Sequence, residues 1–144
     1  MSHLSLLISL GFRRVGEWHD RTGALDFAIP TEVRAVEKSL YAFVVGSQVL
    51  YLGKAKGPFV GRMNLYRRPG SSQSTNKRIN PLIAKFVCDK KTVAIYHFEP
   101  TEEVAFKGIR LNIAAGLEDP LIECISPTWN MHGIGKRPTH RRRR

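Results

Sequence analysis

The run from Ser39 to Tyr66, SLYAFVVGSQVLYLGKAKGPFVGRMNLY, constrains the fold more than any other part of the chain. Residues 40–45 and 48–52 are dense in Val, Leu, Tyr and Phe, side chains that suit a pleated, half-buried surface. Gly46-Ser47 between them matches a two-residue turn, so the run predicts a β-hairpin. Strand residues alternate faces. Tyr41, Phe43 and Val45 are therefore expected on one side, and Val49 and Tyr51 on a shared side of the partner strand. Gly57-Pro58 then opens a helix carrying Phe59, Arg62 and Tyr66, and the last two lie four apart on one helical face. Two strand phenols, the Lys54 ammonium and the Arg62 guanidinium converge on one surface. That set suits an anionic phosphate better than it suits a hydrophobic core.

The rest of the chain supplies a frame for this surface. Residues 2–10 read as a short amphipathic helix, because LSLLISLGF has neither the basic start nor the small-residue cleavage site of a signal segment. Residues 12–18 and 24–29 are two short strands around the turn-rich HDRTG, followed by a charged connector over 32–38. After the loop 69–74, Asn76 or Asn80 caps a helix with Pro81 in its first turn and a stripe of Ile79, Leu82, Ile83 and Phe86. Residues 92–98 form a strand with Val93, Ile95 and His97 on one face. The spacing of Phe106, Ile109, Ile113 and Leu117 predicts the longest helix over 101–117, and Asp119-Pro120 starts a second, short one that carries Glu123. The expected fold is α+β: a small central mixed or antiparallel β-sheet of about three strands flanked by helices, with an N-terminal helix/hairpin extension. The segments are 1–38, the extension packed on the core and a candidate DNA contact; 39–131, the main domain; and 132–144, a basic tail.

Length and charge narrow the function. A chain of 144 residues, 42% of them apolar, supports one domain with a modest core. It holds no apolar run of the roughly 18 residues that a membrane helix needs. Lys plus Arg is 23 against 12 Asp plus Glu, a net of +11. Six of the positive charges lie in 136–144; without that tail the balance is 17 against 12, so the body is basic on its own account. A nucleic-acid partner leads, ahead of an anionic membrane surface. Cys88 and Cys124 are the only cysteines, which makes no disulfide framework and points to a reducing cytoplasmic compartment; both sit in apolar runs and read as core. His3, His19, His97, His132 and His140 show no metal-ligand spacing. Glu123 lies in the apolar LIECI, where a carboxylate needs a cation or donors. Taken singly, a strand tyrosine is usually packing and a helix arginine usually solvated surface.

In order and spacing, these motifs resemble the GIY-YIG nuclease superfamily, in its restriction-endonuclease-like or excision-repair-like branch. Ser39-Leu40-Tyr41 stands for the first motif, with serine for the usual glycine, and Tyr51-Leu52-Gly53 for the second. Lys54-Ala55-Lys56 and the Arg62/Tyr66 pair are similar to excision-repair incision domains, and Ser74-Thr75-Asn76 to restriction enzymes of the superfamily. The resemblance implies a metal-dependent DNA endonuclease that leaves 5′-phosphate and 3′-hydroxyl ends. Restriction-like cleavage comes first, then a structure-specific repair or recombination nuclease, then an inactive basic DNA-binding module. It implies catalytic roles for Tyr41 as general base, Tyr51, Lys54, Arg62, Tyr66, Glu123 and Asn130, with Glu123 holding Mg²⁺ or Mn²⁺ and Asn130 bracing the site by hydrogen bonds. A phenol ionises near pH 10, so the base role needs Lys54 or Arg62 to favour the phenolate. Lys54, Lys56, Arg67, Arg68, Asn76, Lys77 and Arg78 are expected against double-stranded or branched DNA. A double-strand cutter would use two copies of the chain, since one site cuts one strand.

Overall fold

The computed structural model describes residues 2–130. The chain forms α1 (His3–Leu10), β1 (Arg13–Arg21), β2 (Ala24–Ala28), α2 (Thr31–Arg34), β3 (Ser39–Val45) and β4 (Gln48–Ala55). It continues through α3 (Phe59–Arg67), α4 (Ser74–Cys88), β5 (Val93–Phe98), β6 (Ala105–Phe106), β7 (Ile109–Arg110) and α5 (Ile113–Ile125), and ends in a 3₁₀ turn, Thr128–Asn130.

Five strands make one antiparallel sheet in the order β2-β1-β5-β3-β4, and β6-β7 is a separate ribbon. The sheet is larger than the expected three strands because the N-terminal hairpin joins it: Trp18 pairs with Val93 and Arg13 with His97. Apolar side chains fill both faces, as a sheet covered on each side requires. One face carries Trp18, Tyr41, Phe43, Tyr51, Val93 and Ile95, against Phe59, Met63 and Tyr66 of α3 and Ile79 and Ile83 of α4. The other carries Leu40, Ala42, Val44 and Leu52, against Leu7 of α1 and Ala114, Leu121 and Ile125 of α5. Helices α3 and α5 thus flank the same edge strand, β4, from opposite sides.

Five local expectations are corrected. The β3–β4 register slips between Phe43 and Val44, so Phe43 faces Tyr51 while Val44 faces Val49. This bulge turns Val49 into the α1/α5 layer, away from Tyr51. Residues 101–117 are not one helix. Lys107 and Gly108 both take positive φ, 52° and 85°, the backbone of a tight hairpin turn, and Phe106 and Ile109 flank it in the open. Asp119-Pro120 does not start a helix either: α5 begins at Asn112, whose Oδ1 accepts from Ala115 N at 3.1 Å, and runs through Pro120. That proline forgoes only the bond to the Gly116 carbonyl, and Ala114, Leu121 and Ile125 hold the helix on the sheet through it. In the same way α4 starts at Ser74, ahead of Asn76 and Asn80, with Pro81 inside it. Cys88 and Cys124 are exposed rather than core.

Candidate active site

The two halves of the site are built differently. On the α3 side of the sheet, three phenols and a guanidinium form a closed network. Tyr41 and Tyr66 are fully buried and Tyr51 is 6% exposed. The Tyr41 and Tyr66 hydroxyls are 2.5 Å apart, and Tyr66 O–H donates to Tyr51 Oη at 3.2 Å. Since the Tyr66 proton goes to Tyr51, the Tyr41 proton goes to Tyr66, and the network runs Tyr41→Tyr66→Tyr51. The Tyr51 proton is left without a partner in the cluster. Arg62 donates from Nε to Tyr41 at 2.9 Å and from Nη2 to Tyr66 at 3.2 Å, with its guanidinium carbon 5.1 Å from the Tyr66 ring centre. Two of its five N–H groups are used in this way, and three remain for a ligand.

Backbone detail holds this cluster in place. Tyr41 lies opposite Gly53 on β4, and a Cβ at Gly53 would sit 2.6 Å from the Tyr41 hydroxyl. A glycine after Leu52 is therefore a steric condition for the tyrosine network. Asn130 braces the same strand, accepting from Leu52 N at 3.0 Å and donating to Leu52 O at 3.1 Å. Asn80 Nδ2 donates to the Tyr66 carbonyl at 2.7 Å and fixes the end of α3. Arg78 donates to the Trp129 carbonyl at 2.8 Å, tying α4 to the 3₁₀ turn.

On the α5 side the site is open. Lys54 leaves β4 on the face opposite Tyr51, and its Nζ is 3.8 Å from Glu118 Oε1, with the two side chains 39% and 23% exposed. Glu118, not Glu123, is the carboxylate whose charge reaches Tyr51 and Arg62. The two glutamates are five residues apart, which sets them about 140° apart around the helix. Glu123 is exposed. Glu118 lies on the α5 stripe of Ala114, Leu121 and Ile125, at the four- and three-residue spacings of one helical face. Reading α5 as one helix through Pro120 would have placed this acid on the buried stripe; dividing the helix at Asp119 hid it.

The electrostatics follow from burial. Desolvation pushes the phenols of Tyr41, Tyr51 and Tyr66 further above their ordinary value, and the nearby Arg62 charge does not reverse it. Burial thus works against the phenolate that the expected base role of Tyr41 requires. Burial works against the charge on Arg62, while the Tyr41 and Tyr66 oxygens that accept its N–H groups favour it, and a guanidinium stays charged at neutral pH. Burial raises the Glu118 carboxyl above its usual value, with Lys54 and Arg62 pulling the other way.

The expected DNA contacts are distributed unevenly. Lys56, Arg68 and Lys77 are exposed. Arg67 is half-buried on Phe27, and Asn76 is buried within α4, its Nδ2 bonded to Gln73, which takes it off the surface. Residues 132–144, with their arginine run, lie outside the described residues. Among the described residues no group of three His, Cys, Asp or Glu side chains could enclose a metal ion. A single half-buried carboxylate whose charge reaches Arg62 fits a Mg²⁺ that keeps most of its waters rather than one enclosed by protein ligands.

No protein-family model matches this sequence, and no curated protein matches it significantly. Solved structures do share its fold. Bacteriophage T4 EndoII, in a glutamate-to-alanine mutant form, is similar with a TM-score of 0.67 at 19% identity, over 90% of this chain and 99% of that one. The restriction endonuclease HPY188I, solved in complex with product DNA, gives 0.53 at 16% identity, over 85% of this chain and 80% of that one.

Proposed function

We propose that this chain is a metal-dependent DNA endonuclease of the GIY-YIG type, hydrolysing phosphodiester bonds at the β4 edge between α3 and α5. The observation that carries the reading is Arg62: a charged guanidinium held by two buried phenols, with its remaining donors free, across β4 from Lys54 and a partly buried acid, Glu118, whose charge it reaches. Two nucleases of the same fold support it.

Phosphoryl transfer depends on positioning and on opposing developing charge. Arg62 would grip two non-bridging oxygens of the scissile phosphate with its free fork. Tyr51, whose proton has no partner in the cluster, would donate to the same phosphate. Tyr41 and Tyr66 orient Arg62 and need not touch substrate. Lys54 and Lys56 would hold the phosphodiester backbone. Glu118 takes the metal-binding role assigned from sequence to Glu123. A divalent cation bound there would supply positive charge opposite the leaving 3′ oxygen. A restriction-like cut is the favoured role, with structure-specific repair cleavage as the alternative.

Conversion of supercoiled plasmid to nicked or linear product, with Mg²⁺ and with EDTA, tests the reading. Metal-dependent conversion leaving 5′-phosphate ends is expected. DNA binding without cleavage across divalent metals and substrates would overturn it in favour of a binding module.

A further inference from the structure

A second basic cleft lies at the other end of α3. Arg21, Arg67 and Arg68 surround Asp26 in an opening of about 290 Å³. Asp26 divides its carboxylate: Oδ2 accepts from Arg21 at 3.1 Å, and Oδ1 lies 3.9 Å from Arg67 Nη1. Asp26 also caps its own neighbour, accepting from Phe27 N at 2.8 Å. Three guanidiniums against one carboxylate leave two positive charges facing the opening.

The arrangement is rigid where a solvated arginine cluster is not. Arg21 sits at the tip of the β1–β2 hairpin, closed by Thr22 and Gly23 with φ of 50° and 86°. Arg67 is clamped on three sides, by Asn64 at 3.1 Å, by the Phe27 ring 6.0 Å away and by Asp26. Asn80 Nδ2 lies 3.3 Å from the Arg67 carbonyl and fixes the chain end from which Arg68 projects. Arg21 and Arg68 remain exposed, and so available to a ligand.

We propose that this cleft is a second phosphodiester-binding subsite, which holds the backbone of bound DNA away from the cut; the proposal rests on the endonuclease reading above. Arg62 and Arg67 are five residues apart on α3, about 7.5 Å along its axis and about 140° around it, and the cleft lies by β2, the sheet edge opposite β4. Phosphates recur about every 3.4 Å of duplex axis on each strand, so a duplex running from the β4 edge toward β2 meets the cleft several nucleotides from the scissile phosphate. Asp26 spaces Arg21 and Arg67 so that their outer donors face the opening, and the phosphate sits between them and Arg68. The subsite gives a chain with no other folded DNA-binding unit among its described residues a second anchor on the duplex, which fixes the angle at which the strand crosses the β4 edge.

The test is fluorescence anisotropy with the full chain and a long duplex, over a potassium chloride series without divalent metal. The Arg21→Ala/Arg68→Ala double variant should bind roughly tenfold more weakly. The slope of log affinity against log salt should fall by about one. Arg21→Lys, which keeps the charge, should retain the wild-type slope. On a short duplex reaching only the β4 edge, wild type and double variant should bind alike. Both mutated side chains are exposed, so an unchanged thermal melt confirms folding. Wild-type affinity and slope in the double variant would overturn the subsite while leaving the endonuclease reading intact. Subsite-dependent binding with no cleavage under any metal would overturn the endonuclease reading and leave the subsite standing. Absence of DNA binding by the wild type would overturn both.

Discussion

The phenol–guanidinium half of the site and the lysine–carboxylate half sit on opposite faces of β4 and obey different physics. Tyr41, Tyr66 and Arg62 are packed, hydrogen-bonded and positioned by the fold. Lys54 and Glu118 are half-exposed and 3.8 Å apart, too long for a tight ion pair and open to a third charge. Such a pair contributes little stability, since exposed ion pairs are worth about 0–1 kcal/mol. On the proposed reading the difference separates preorganisation from exchange: the closed half would fix a cation for the phosphate, and the open half would trade Lys54 for a metal or substrate without unfolding anything. Substitutions in the closed half should therefore cost stability as well as rate, and substitutions in the open half should cost rate alone.

Arg62→Ala is expected to have the largest combined effect. It removes the phosphate grip and leaves buried phenols without their donor, so cleavage should fall by at least about a thousandfold. Stability should drop by about 1–3 kcal/mol. Plasmid nicking and urea melts read the two effects; a rate loss with no change in the melt would break the contrast. Gly53→Ala, which forces a Cβ onto the Tyr41 hydroxyl, should destabilise by about 1–3 kcal/mol and lower activity with it.

The phenols sharpen the contrast further. Tyr41→Phe leaves Arg62 Nε and the inner end of the network unpaired, so it should cost about 1–2 kcal/mol in a thermal or urea melt. Tyr51→Phe takes away only the acceptor of the Tyr66 proton, so it should cost less in the melt, about 1 kcal/mol, while the loss of the Tyr51 proton slows cleavage. Equal melts for the two variants would contradict this difference, two bonds lost at Tyr41 against one at Tyr51.

His97 has no effect at neutral pH and acts only in acid. It is 2% exposed and packed against the Phe59 ring at 4.4 Å and a 43° tilt, and burial lowers its pKa from 6.5 to about 4, with the Arg13 charge adding to it. Above pH 6.5 the imidazole is neutral in both folded and unfolded chains and stability is unaffected. Between 6.5 and about 4 only the unfolded chain binds the proton, so stability falls with pH, by up to about 3 kcal/mol. A His97→Gln variant should lose that acid-dependent component. A wild-type melt that does not weaken from pH 6.5 to 4, once compared with the variant, would contradict the burial.

The sequence made the β3–β4 hairpin and α3 legible because their signals are local: β-rich runs around Gly46-Ser47, and Arg62 and Tyr66 one turn apart. It also named Tyr41, Tyr51, Arg62 and Tyr66 before any distance was known. What it could not carry was pairing across long separations. Nothing in residues 13–21 says that Trp18 pairs with Val93, so two strands of the sheet were read as an extension. Two local conflicts misled as well. The helical spacing of Phe106 and Ile109 gives way to the Lys107-Gly108 turn, and Asp119-Pro120 has the pattern of a helix start although packing carries α5 through it. The second conflict bears on the acid: a helix divided at Asp119 hides the carboxylate on the buried stripe, Glu118, and leaves the exposed Glu123 as the candidate.

That choice is also where the account is most exposed. Glu118→Gln and Glu123→Gln, assayed side by side for Mg²⁺-dependent plasmid nicking, test it directly. The account predicts that Glu118→Gln loses cleavage by about a hundredfold or more with its melt unchanged, while Glu123→Gln nicks like wild type. Loss of activity in Glu123→Gln with Glu118→Gln unaffected would contradict the site as built around the β4 edge.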